Sequence, residues 1–585
     1  MKNWLLLLVG LTSVAEAAQL KCNESVTPIA EIQGMGKQSP LLNQQITTKG
    51  VVTADFRGKD ALEGFFIQQL DADNNPATSD GMFIHYDDRQ QILQPGDVVM
   101  VQGKVSEQFE VTQINDVSVL KVCHKEQILP EPVLLTLPLK DYDLEQVEGM
   151  RVRFKQPVVI TDIFQYPKYG EITVSSDLLL NPTARFRPGP QVKEQYKLDK
   201  QNRLIIDDGS LAEYPVATLF NQPPITLGQK LNVTGVMHFA FGQYKIQPSE
   251  KFELMTAFTK SQPQTPSGKL KVANFNLKNF FTSIDVGQQC GPRKNFSCRG
   301  ADSQAEYDRQ VLKLATAINL ADADIMAVEE LENTEDTAQQ LVSSLNQLAG
   351  KQKWSFIQTG ALGDDVIRVG ILYQPGRVKA LGKYALLNQG VNAAFDETKH
   401  RIVVTQTFVT QNNNKVNFAA AHLKSKSCQD ATDKNLDQKD GQGCFNVART
   451  EAAHLVANWL LADPTGQDAP YTILAGDLNA YQKEDPVVIL QNQGLKNLAE
   501  QFLGPHNWTA SYRGYVGSLD YILANDQTAK KATGLTQWHI NSIYSAWFDY
   551  NLEPISEDNP KPAHYYQPSP FASSDHDMVI AGFDL

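Results

Sequence analysis

The chain has 585 residues, of which 42% are hydrophobic and 20% charged, a composition typical of a folded multidomain protein rather than a disordered chain. Its net charge of −13 argues against a protein that binds nucleic acid over its whole surface. The negative net charge does not exclude a phosphate-bearing substrate, because a bound divalent cation can reverse the sign of the charge at the binding site.

The N-terminal residues have the pattern of an export signal. Lys2 precedes an apolar run that begins at Trp4, and Ala15-Glu16-Ala17 is an A-x-A cleavage site. The run is too short to span a bilayer as a helix, and no later segment is apolar enough to do so. We therefore expect residues 1–18 to be a signal peptide and the mature protein to be secreted without a membrane anchor, with the periplasm as the alternative location.

Six cysteines in an exported chain favour disulfide bonds. Proximity in the sequence suggests the pairs Cys290–Cys298 and Cys428–Cys444, which leaves Cys22–Cys123, although other connectivities are open. A zinc site is the alternative interpretation, but the sequence has no CxxC motif and no nearby histidine pair.

Short β-prone runs separated by glycine and polar turns dominate residues 19–130. A glycine inside the long run 97–105 suggests a bend, and we predict an OB-like β domain, a small barrel. Residues 131–260 are predicted to form a second β-rich domain that repeats this plan, because the stretch 228–235 resembles the stretch 96–103.

One turn in the first β domain resembles a calcium loop. Asp71, Asp73 and Asn75 place oxygen ligands at alternate positions. The later glutamate of an EF-hand is missing, so a solvated hairpin turn is the favoured interpretation. Ca²⁺ stays open as a bound ion.

Residues 261–268 are rich in proline, serine and glutamine and are predicted to be a linker. After them, strands alternate with amphipathic helices, so residues 269–585 are predicted to form one large α/β domain. Polar residues recur where its apolar strands end, which is where layered α/β folds place their chemistry. These residues are Asn274, Asn276, Glu329, Glu330, His422, Asp477, Asn479, Asp520, Asp575 and His576.

The two histidines and several carboxylates of this set suit metal-assisted hydrolysis of a phosphodiester. A Mg²⁺ or Mn²⁺ ion held by carboxylate and amide oxygens would neutralise charge on the phosphate. One histidine would take a proton from water while the other donates a proton to the leaving group, and Asp520 would orient a histidine ring. Each residue alone has an ordinary explanation as a turn cap or a structural side chain.

In this order, the motifs resemble those of the endonuclease/exonuclease/phosphatase superfamily, and in particular its large secreted bacterial nucleases with N-terminal OB-like modules. The resemblance implies a four-layer α/β sandwich of two packed β-sheets flanked by helices. The motifs that carry it are Asn276, Glu330, Ala421-His422-Leu423, Gly476-Asp477-Leu478-Asn479, Leu519-Asp520-Tyr521 and Ser574-Asp575-His576.

The resemblance also implies a role for each residue. The implied cation ligands are Asn276, Glu330 and Asp575. Glu330 is preferred to Glu329 because it aligns with the family glutamate, and strand alternation lets only one of the two face the site. The implied acid/base pair is His422 and His576, with Asp520 supporting His576. The residues implied to orient water and phosphate are Asp477 and Asn479.

Three basic residues that follow the Ala421-His422-Leu423 motif in the sequence are candidate phosphate contacts by charge and position. They are Lys424, Lys426 and Arg449. For each of them, a solvated surface charge is an equally good interpretation.

We therefore expect a secreted, monomeric, metal-dependent nuclease that hydrolyses DNA, with RNA as a further substrate and endonucleolytic cleavage as the expected mode. One alternative is a phosphodiesterase or phosphatase of the same fold that acts on phospholipid headgroups or other phosphoesters. A second alternative is a binding protein whose OB-like modules hold nucleic acid beside an inactive enzyme domain.

Overall fold

The computed structural model describes residues 21–139, 144–214, 225–252, 254–255, 262–553 and 565–585. The predicted signal peptide, residues 1–18, lies outside the described residues. Within them, no helix combines the length and apolar character that crossing a membrane requires.

The first β region is a closed five-stranded barrel. Its elements are α1 (Ile29–Gln33), β1 (Gln45–Phe56), β2 (Gly64–Gln68), β3 (Gly81–His85), β4 (Val98–Gln108) and β5 (Val111–His124). The strands pair around the barrel in the order β1-β2-β3-β5-β4, and apolar side chains such as Phe65, Ile67 and Val99 fill the interior. The predicted small β barrel is confirmed, and it has five strands.

The second β region is an open sheet of eight strands. Its elements are β6 (Val133–Leu135), β7 (Arg151–Phe154), β8 (Val158–Asp162), α2 (Tyr166–Tyr169), β9 (Ile172–Ser175), α3 (Pro182–Arg185), α4 (Pro190–Gln201), β10 (Leu204–Ile206), β11 (Lys230–Leu231), β12 (Thr234–Ala240) and β13 (Gln243–Pro248). Their order, β11-β8-β9-β10-β13-β12-β7-β6, differs from that of the barrel, so the predicted repeat of the barrel plan is corrected.

An aromatic contact joins the barrel to this sheet. His238 on β12 lies with its ring centroid 5.5 Å from that of Phe66 and 5.6 Å from that of Phe83, both on barrel strands. The imidazole is buried, and its Nδ1 has no hydrogen-bond partner among the described residues. Burial lowers the pKa of His238 from 6.5 to about 4, so the ring is neutral in the folded protein at neutral pH.

We expect His238 to make the fold acid-sensitive. Because its folded pKa lies below its unfolded value, the unfolded state binds the extra proton, and stability is lost as pH falls from about 6.5 to 4, by up to about 3 kcal/mol. In His238→Leu this part of the pH dependence should disappear, as measured by urea unfolding at pH 7 and pH 4.5. His454→Leu, at an exposed helix position, should keep it. An unchanged pH dependence in His238→Leu would contradict this account.

The remaining described chain forms two six-stranded sheets, two hairpins and helices. Its elements are β14 (Leu270–Phe280), β15 (Gln289–Cys290), β16 (Phe296–Ser297), α5 (Gln304–Ala321), β17 (Ile325–Glu332), α6 (Thr337–Ala349), β18 (Ser355–Phe356), β19 (Ile367–Tyr373), β20 (Val378–Leu387), β21 (Val403–Thr410), β22 (Lys415–His422), α7 (Asn446–Leu461), β23 (Tyr471–Asp477), α8 (Asp485–Asn492), β24 (Leu495–Asn497), α9 (Leu498–Leu503), β25 (Ala510–Tyr512), β26 (Tyr515–Gly517), β27 (Asp520–Asn525), α10 (Asp526–Ala529), β28 (Ala532–Trp538) and β29 (Met578–Phe583).

These elements build four layers. The first sheet has the order β18-β19-β17-β14-β29-β28 and the second the order β20-β21-β22-β23-β27-β24. Alternate strand residues such as Val272 and Phe418 form a common core between the sheets. The apolar faces of α5 and α6 cover the outer face of the first sheet, and α7 and α8 cover that of the second. The predicted α/β sandwich is confirmed.

All six cysteines are paired as the sequence suggests. The disulfides are Cys22–Cys123, Cys290–Cys298 and Cys428–Cys444. The first ties the start of the described chain to β5. The other two close short loops beside the sandwich.

The turn with alternating oxygen ligands is a hydrogen-bonded loop. Asp73 Oδ1 accepts the backbone N–H of Asn75 at 2.8 Å, and Asp73 Oδ2 accepts the hydroxyl of Thr78 at 2.7 Å. Both carboxylate oxygens therefore close the turn, which supports the interpretation as a hairpin turn.

Candidate active site

Strand ends of both sheets meet at one edge of the sandwich and bring the predicted residues together. β22 and β23 are parallel and β27 runs against them, so His422 pairs with Asp477, and Asp477 pairs with Asp520. In the first sheet, Asn276 on β14 pairs with Glu329 on β17. Across the gap between the sheets, Asn276 Nδ2 donates to Asp477 Oδ2 at 3.2 Å. The candidate active site is therefore built by both sheets.

A bulge in β17 turns Glu330 toward Asn276. The register of β17 against β19 shifts between Val328 and Leu331, and Glu330 has a φ of 61°. Left-handed backbone at a residue other than glycine is uncommon and clusters at functional sites. Glu330 Oε1 accepts Asn276 Nδ2 at 3.2 Å, and Oε2 accepts the backbone N–H of Asn279 at 2.9 Å. The carboxylate is thus held at the site in one orientation.

The bulge also leaves Glu329 inside the site. The expectation that only one of Glu329 and Glu330 faces the site is corrected, because a bulge interrupts strand alternation. Glu329 is fully buried, and neither carboxylate oxygen has a hydrogen-bond partner among the described residues. Burial raises the pKa of Glu329 well above its ordinary value, and the charges of Asp520 and Asp477 raise it further.

His576 and Asp520 form a short, buried hydrogen-bonded pair in the site. His576 Nδ1 lies 2.7 Å from Asp520 Oδ2, and Thr509 Oγ1 donates to the same oxygen at 2.6 Å. Asn274 Nδ2 lies 3.4 Å from Asp520 Oδ1. Burial lowers the pKa of His576, but attraction to Asp520 outweighs it and holds that pKa well above its ordinary value. This pair leaves Nε2 as the ring atom open to chemistry.

Asp477 lies at the centre of the group. Its Oδ1 accepts the backbone N–H of Asn479 at 2.8 Å, and Asn479 Nδ2 donates to the carbonyl of Leu423 at 3.1 Å. Burial raises the pKa of Asp477 to about 7. Asn479 is therefore oriented beside Asp477 by the turn that follows β23.

His422 has the opposite electrostatic environment from His576. Its Nε2 lies 3.5 Å from Asp477 Oδ2, and its Nδ1 has no hydrogen-bond partner among the described residues. Burial lowers the pKa of His422 well below its ordinary value, and the positive charge of Arg401 lowers it further. The imidazole of His422 is therefore neutral, whereas that of His576 is protonated.

Asp575 is the exposed carboxylate of the group. Ser574 Oγ donates to the carbonyl of Asn276 at 2.7 Å, which fixes the turn that carries Asp575 beside β14. Lys278 is close by and bonds Asp549 at 3.1 Å. Burial lowers the pKa of Lys278, but attraction to Asp549 and Asp575 outweighs it, so the ammonium stays charged.

The chemistry of the donors fits a divalent cation. Asp477, Asp520 and His576 each offer one ligand atom within 4.8 Å of one another, but the Asp520–His576 hydrogen bond already joins two of these groups. Carboxylate and amide oxygens, which also supply the predicted ligand set, suit hard cations such as Mg²⁺. The buried Oδ1 of Asn274, which has no hydrogen-bond partner among the described residues, adds negative potential at the base of the site.

Two of the three predicted phosphate contacts are corrected. Arg449 is fully buried, and its guanidinium donates to the carbonyls of Lys424, Ser425, Gln442 and Cys444. Its role is to hold the loop after β22. Lys426 is neutralised by Glu484, with Nζ 2.5 Å from both carboxylate oxygens. Lys424 alone remains as a candidate contact.

The second β region supports this loop. Thr183 Oγ1 donates to Glu484 Oε1 at 2.6 Å, and Arg187 pairs with Asp485 at 2.6 Å. Glu484 in turn holds Lys426. The second β region is thus linked to the loop that follows His422 by a buried hydrogen bond to Glu484, with an exposed ion pair beside it.

Sequence reasoning missed Thr509 and Lys278. Thr509 and Lys278 act on the site through Asp520 and through the carboxylates near Asn276. Neither stands in a motif, and their partners are distant in sequence. Only the packing of the loops against the two sheets reveals them.

Residues 275–576 match the family model described as endonuclease/exonuclease/phosphatase family. Because these residues make up just over half of the chain, the protein belongs to this family and is a hydrolase of its kind. Residues 143–260, in the second β region, match a model described as a domain of unknown function. No curated protein matches the chain.

Three solved structures illustrate the likeness. The mannosyl-6-phosphatase Bt3783 of Bacteroides thetaiotaomicron is 14% identical, with 54% of this chain and 100% of that chain covered and a TM-score of 0.33. The TDP2 of D. rerio, complexed with a single strand DNA product, is 16% identical, with 54% and 99% covered and a TM-score of 0.32. The human Nocturnin catalytic domain is 15% identical, with 54% and 95% covered and a TM-score of 0.32.

Proposed function

We propose that the protein is a secreted, metal-dependent nuclease that hydrolyses phosphodiester bonds of DNA, with RNA as a further substrate. The observation that carries the proposal is that residues of both sheets meet in one site. His422, Asp477 and the Asp520–His576 pair lie next to the hydrogen-bonded Asn276 and Glu330, which we call the cation corner. Two imidazoles with opposite pKa shifts beside an oxygen-rich cation site are the parts that phosphodiester hydrolysis needs. The three disulfides support an oxidising location outside the cytosol.

The residues that would hold the cation are Asn276, Glu330 and Asp575. A divalent ion bound there would neutralise the phosphate and stabilise the departing oxyanion. Asn276 is held firmly at the site, because its amide nitrogen donates to Glu330 and Asp477, and its Oδ1, the atom that would bind the cation, accepts the backbone N–H of Lys278 at 3.0 Å.

The two histidines would divide the proton transfers. His422, kept neutral, can accept a proton from the attacking water, which Asp477 and Asn479 orient. His576, kept protonated by Asp520, can donate from Nε2 to the leaving oxygen. Environments that move two pKa values apart are how active sites assign an acid and a base.

We expect chelation to abolish hydrolysis. Plasmid nicking in Mg²⁺ should fall by at least about 10²-fold in excess EDTA, since the phosphate loses its charge neutralisation. Added Mg²⁺ or Mn²⁺ should restore nicking, and circular dichroism should show the fold unchanged throughout. Full activity in EDTA would contradict the metal-dependent mechanism.

The same preparation distinguishes the alternatives. Release of phosphocholine or of inorganic phosphate from small phosphoesters without plasmid nicking would favour a phosphodiesterase or phosphatase of this fold. Binding of single-stranded DNA without any hydrolysis would favour a binding protein. Nicking of plasmid DNA supports the nuclease.

A further inference from the structure

Most cations around the candidate site are neutralised. Lys278 is paired with Asp549, Lys426 with Glu484 and Arg401 with Asp365, at 3.1, 2.5 and 3.2 Å. The buried guanidinium of Arg449 is satisfied by backbone carbonyls. These groups hold the architecture together and have little charge left for a ligand.

Arg299 and Lys424 are exceptions. Arg299 is exposed, and its guanidinium makes no hydrogen bond or ion pair with any residue that the structure describes. Lys424 lies two residues after His422, and its ammonium is 4.9 Å from the ring centroid of Phe445, with no carboxylate at ion-pair distance in the described chain. Two cations at the rim of one site, neither in an ion pair with any described residue, indicate that an anion belongs there.

The fold places Arg299 at this rim. Arg299 directly follows the hairpin closed by Cys290–Cys298. On one side this hairpin is fastened by the Arg293–Asp364 ion pair, at 2.5 Å. The next residue, Asp365, pairs with Arg401, whose backbone N–H donates to the carbonyl of His422 at 3.3 Å.

The other side of the hairpin lies against the cation corner, which contains Asn276 and Glu330. Gly300 lies so close to the carbonyl of Asn279 that a Cβ on Gly300 would be 2.7 Å from that oxygen. Asn279 in turn donates its backbone N–H to Glu330. Arg299 therefore sits between the loop of His422 and the cation corner.

The charge of Arg299 reaches its neighbours. Burial lowers the pKa of His422, and the positive charges of Arg401, His576, His400 and Arg299 lower it further. Burial and the charges of Arg401 and Arg299 also lower the pKa of Lys424, whereas Asp365 and Asp430 raise it. An anion bound between Arg299 and Lys424 would relieve this repulsion.

We propose that Arg299 and Lys424 bind a non-scissile phosphate of a polynucleotide strand, next to the bond being cut. The proposal rests on the nuclease function above and defines its substrate as a strand with more than one phosphate. Arg299 supplies a planar fork of donors, which suits two phosphate oxygens, and Lys424 supplies a point charge. Contacts to phosphate carry no base information, so the contribution should be independent of sequence.

The test compares two substrates that differ in phosphate number. One is a single-stranded 12-mer, and the other is bis(p-nitrophenyl) phosphate, a diester with one phosphate. In Arg299→Ala, kcat/KM for the 12-mer should fall by about 10-fold or more, and the slope of log(kcat/KM) against log[salt] should become shallower by about 0.7. The rate on the small diester should stay within about twofold. Arg299→Lys should restore part of the loss.

Lys294→Ala is the matched control, because Lys294 is an exposed cation at the turn of the same hairpin but takes no part in the ion pair that fastens it. It should leave both substrates unaffected. Equal losses on both substrates in Arg299→Ala, or no loss on either, would overturn the proposed phosphate contact but not the nuclease function. Wild-type protein that hydrolyses the small diester but no oligonucleotide would overturn the nuclease function and this inference together.

Discussion

Replacing His576 with alanine is expected to lower the turnover of plasmid DNA by at least about 10³-fold. The Asp520–His576 contact is 2.7 Å long and buried, and Asp520 is held in turn by Thr509. Removing the imidazole takes away the protonated Nε2 that would donate to the leaving oxygen. Added imidazole should restore part of the rate, because the cavity left by the ring lies beside an intact Asp520.

A second histidine–aspartate pair provides the control for this variant. His539 Nδ1 lies 2.7 Å from Asp577 Oδ2, and the His539 ring stacks on Trp508 with centroids 4.1 Å apart. Asp577 also accepts backbone N–H groups of residues 540–542, so it organises a loop. His539→Ala should retain activity within about tenfold, with no response to imidazole. Near-normal activity in His576→Ala would refute the assignment of His576.

Replacing Asp477 with alanine should cost at least about 10³-fold in turnover without lowering the melting temperature. Asp477 accepts hydrogen bonds from Asn276 of the opposite sheet and from Asn479 of its own turn, and it lies beside His422. Alanine at this position removes the carboxylate that orients the attacking water and these two residues. Stability should not fall, because burial raises the pKa of Asp477 to about 7, which means that its negative charge destabilises the fold at neutral pH.

Asp463→Ala is the control for Asp477→Ala, because it is expected to lower stability and leave turnover unchanged. The Asp463 carboxylate accepts Asn417 Nδ2 at 2.8 Å and the backbone N–H of Asp468 at 2.6 Å, at the end of the second sheet away from the site. Burial raises the pKa of Asp463, but these hydrogen bonds outweigh it and lower that pKa, so the carboxylate stabilises the fold above its unfolded pKa. Asp463→Ala should therefore lower the melting temperature and keep full turnover. Loss of stability rather than of turnover in Asp477→Ala would contradict its role at the site.

Local pattern was enough to predict the α/β class of residues 269–585 and most of the strand-end residues, whereas the four-layer arrangement was implied by the family resemblance. Apolar runs such as 325–328 and 472–475 can be buried only as inner strands, and each ends in a polar residue because the sheet ends there. The proximity of Cys290 to Cys298 likewise indicated their disulfide correctly. These features depend on neighbours in the chain, which the sequence displays directly.

Contacts between distant segments were decided by the tertiary structure alone. The bulge at Glu330 brings Glu329 into the site against the alternation that its strand predicts. Arg449, a candidate phosphate contact by its charge, is buried and donates hydrogen bonds to backbone carbonyls instead. Arg299, unremarkable in the sequence, comes to the rim because a disulfide hairpin packs against residues 364–366. Charge and residue type are properties of the sequence, whereas burial and partners arise only when both sheets and their loops pack together.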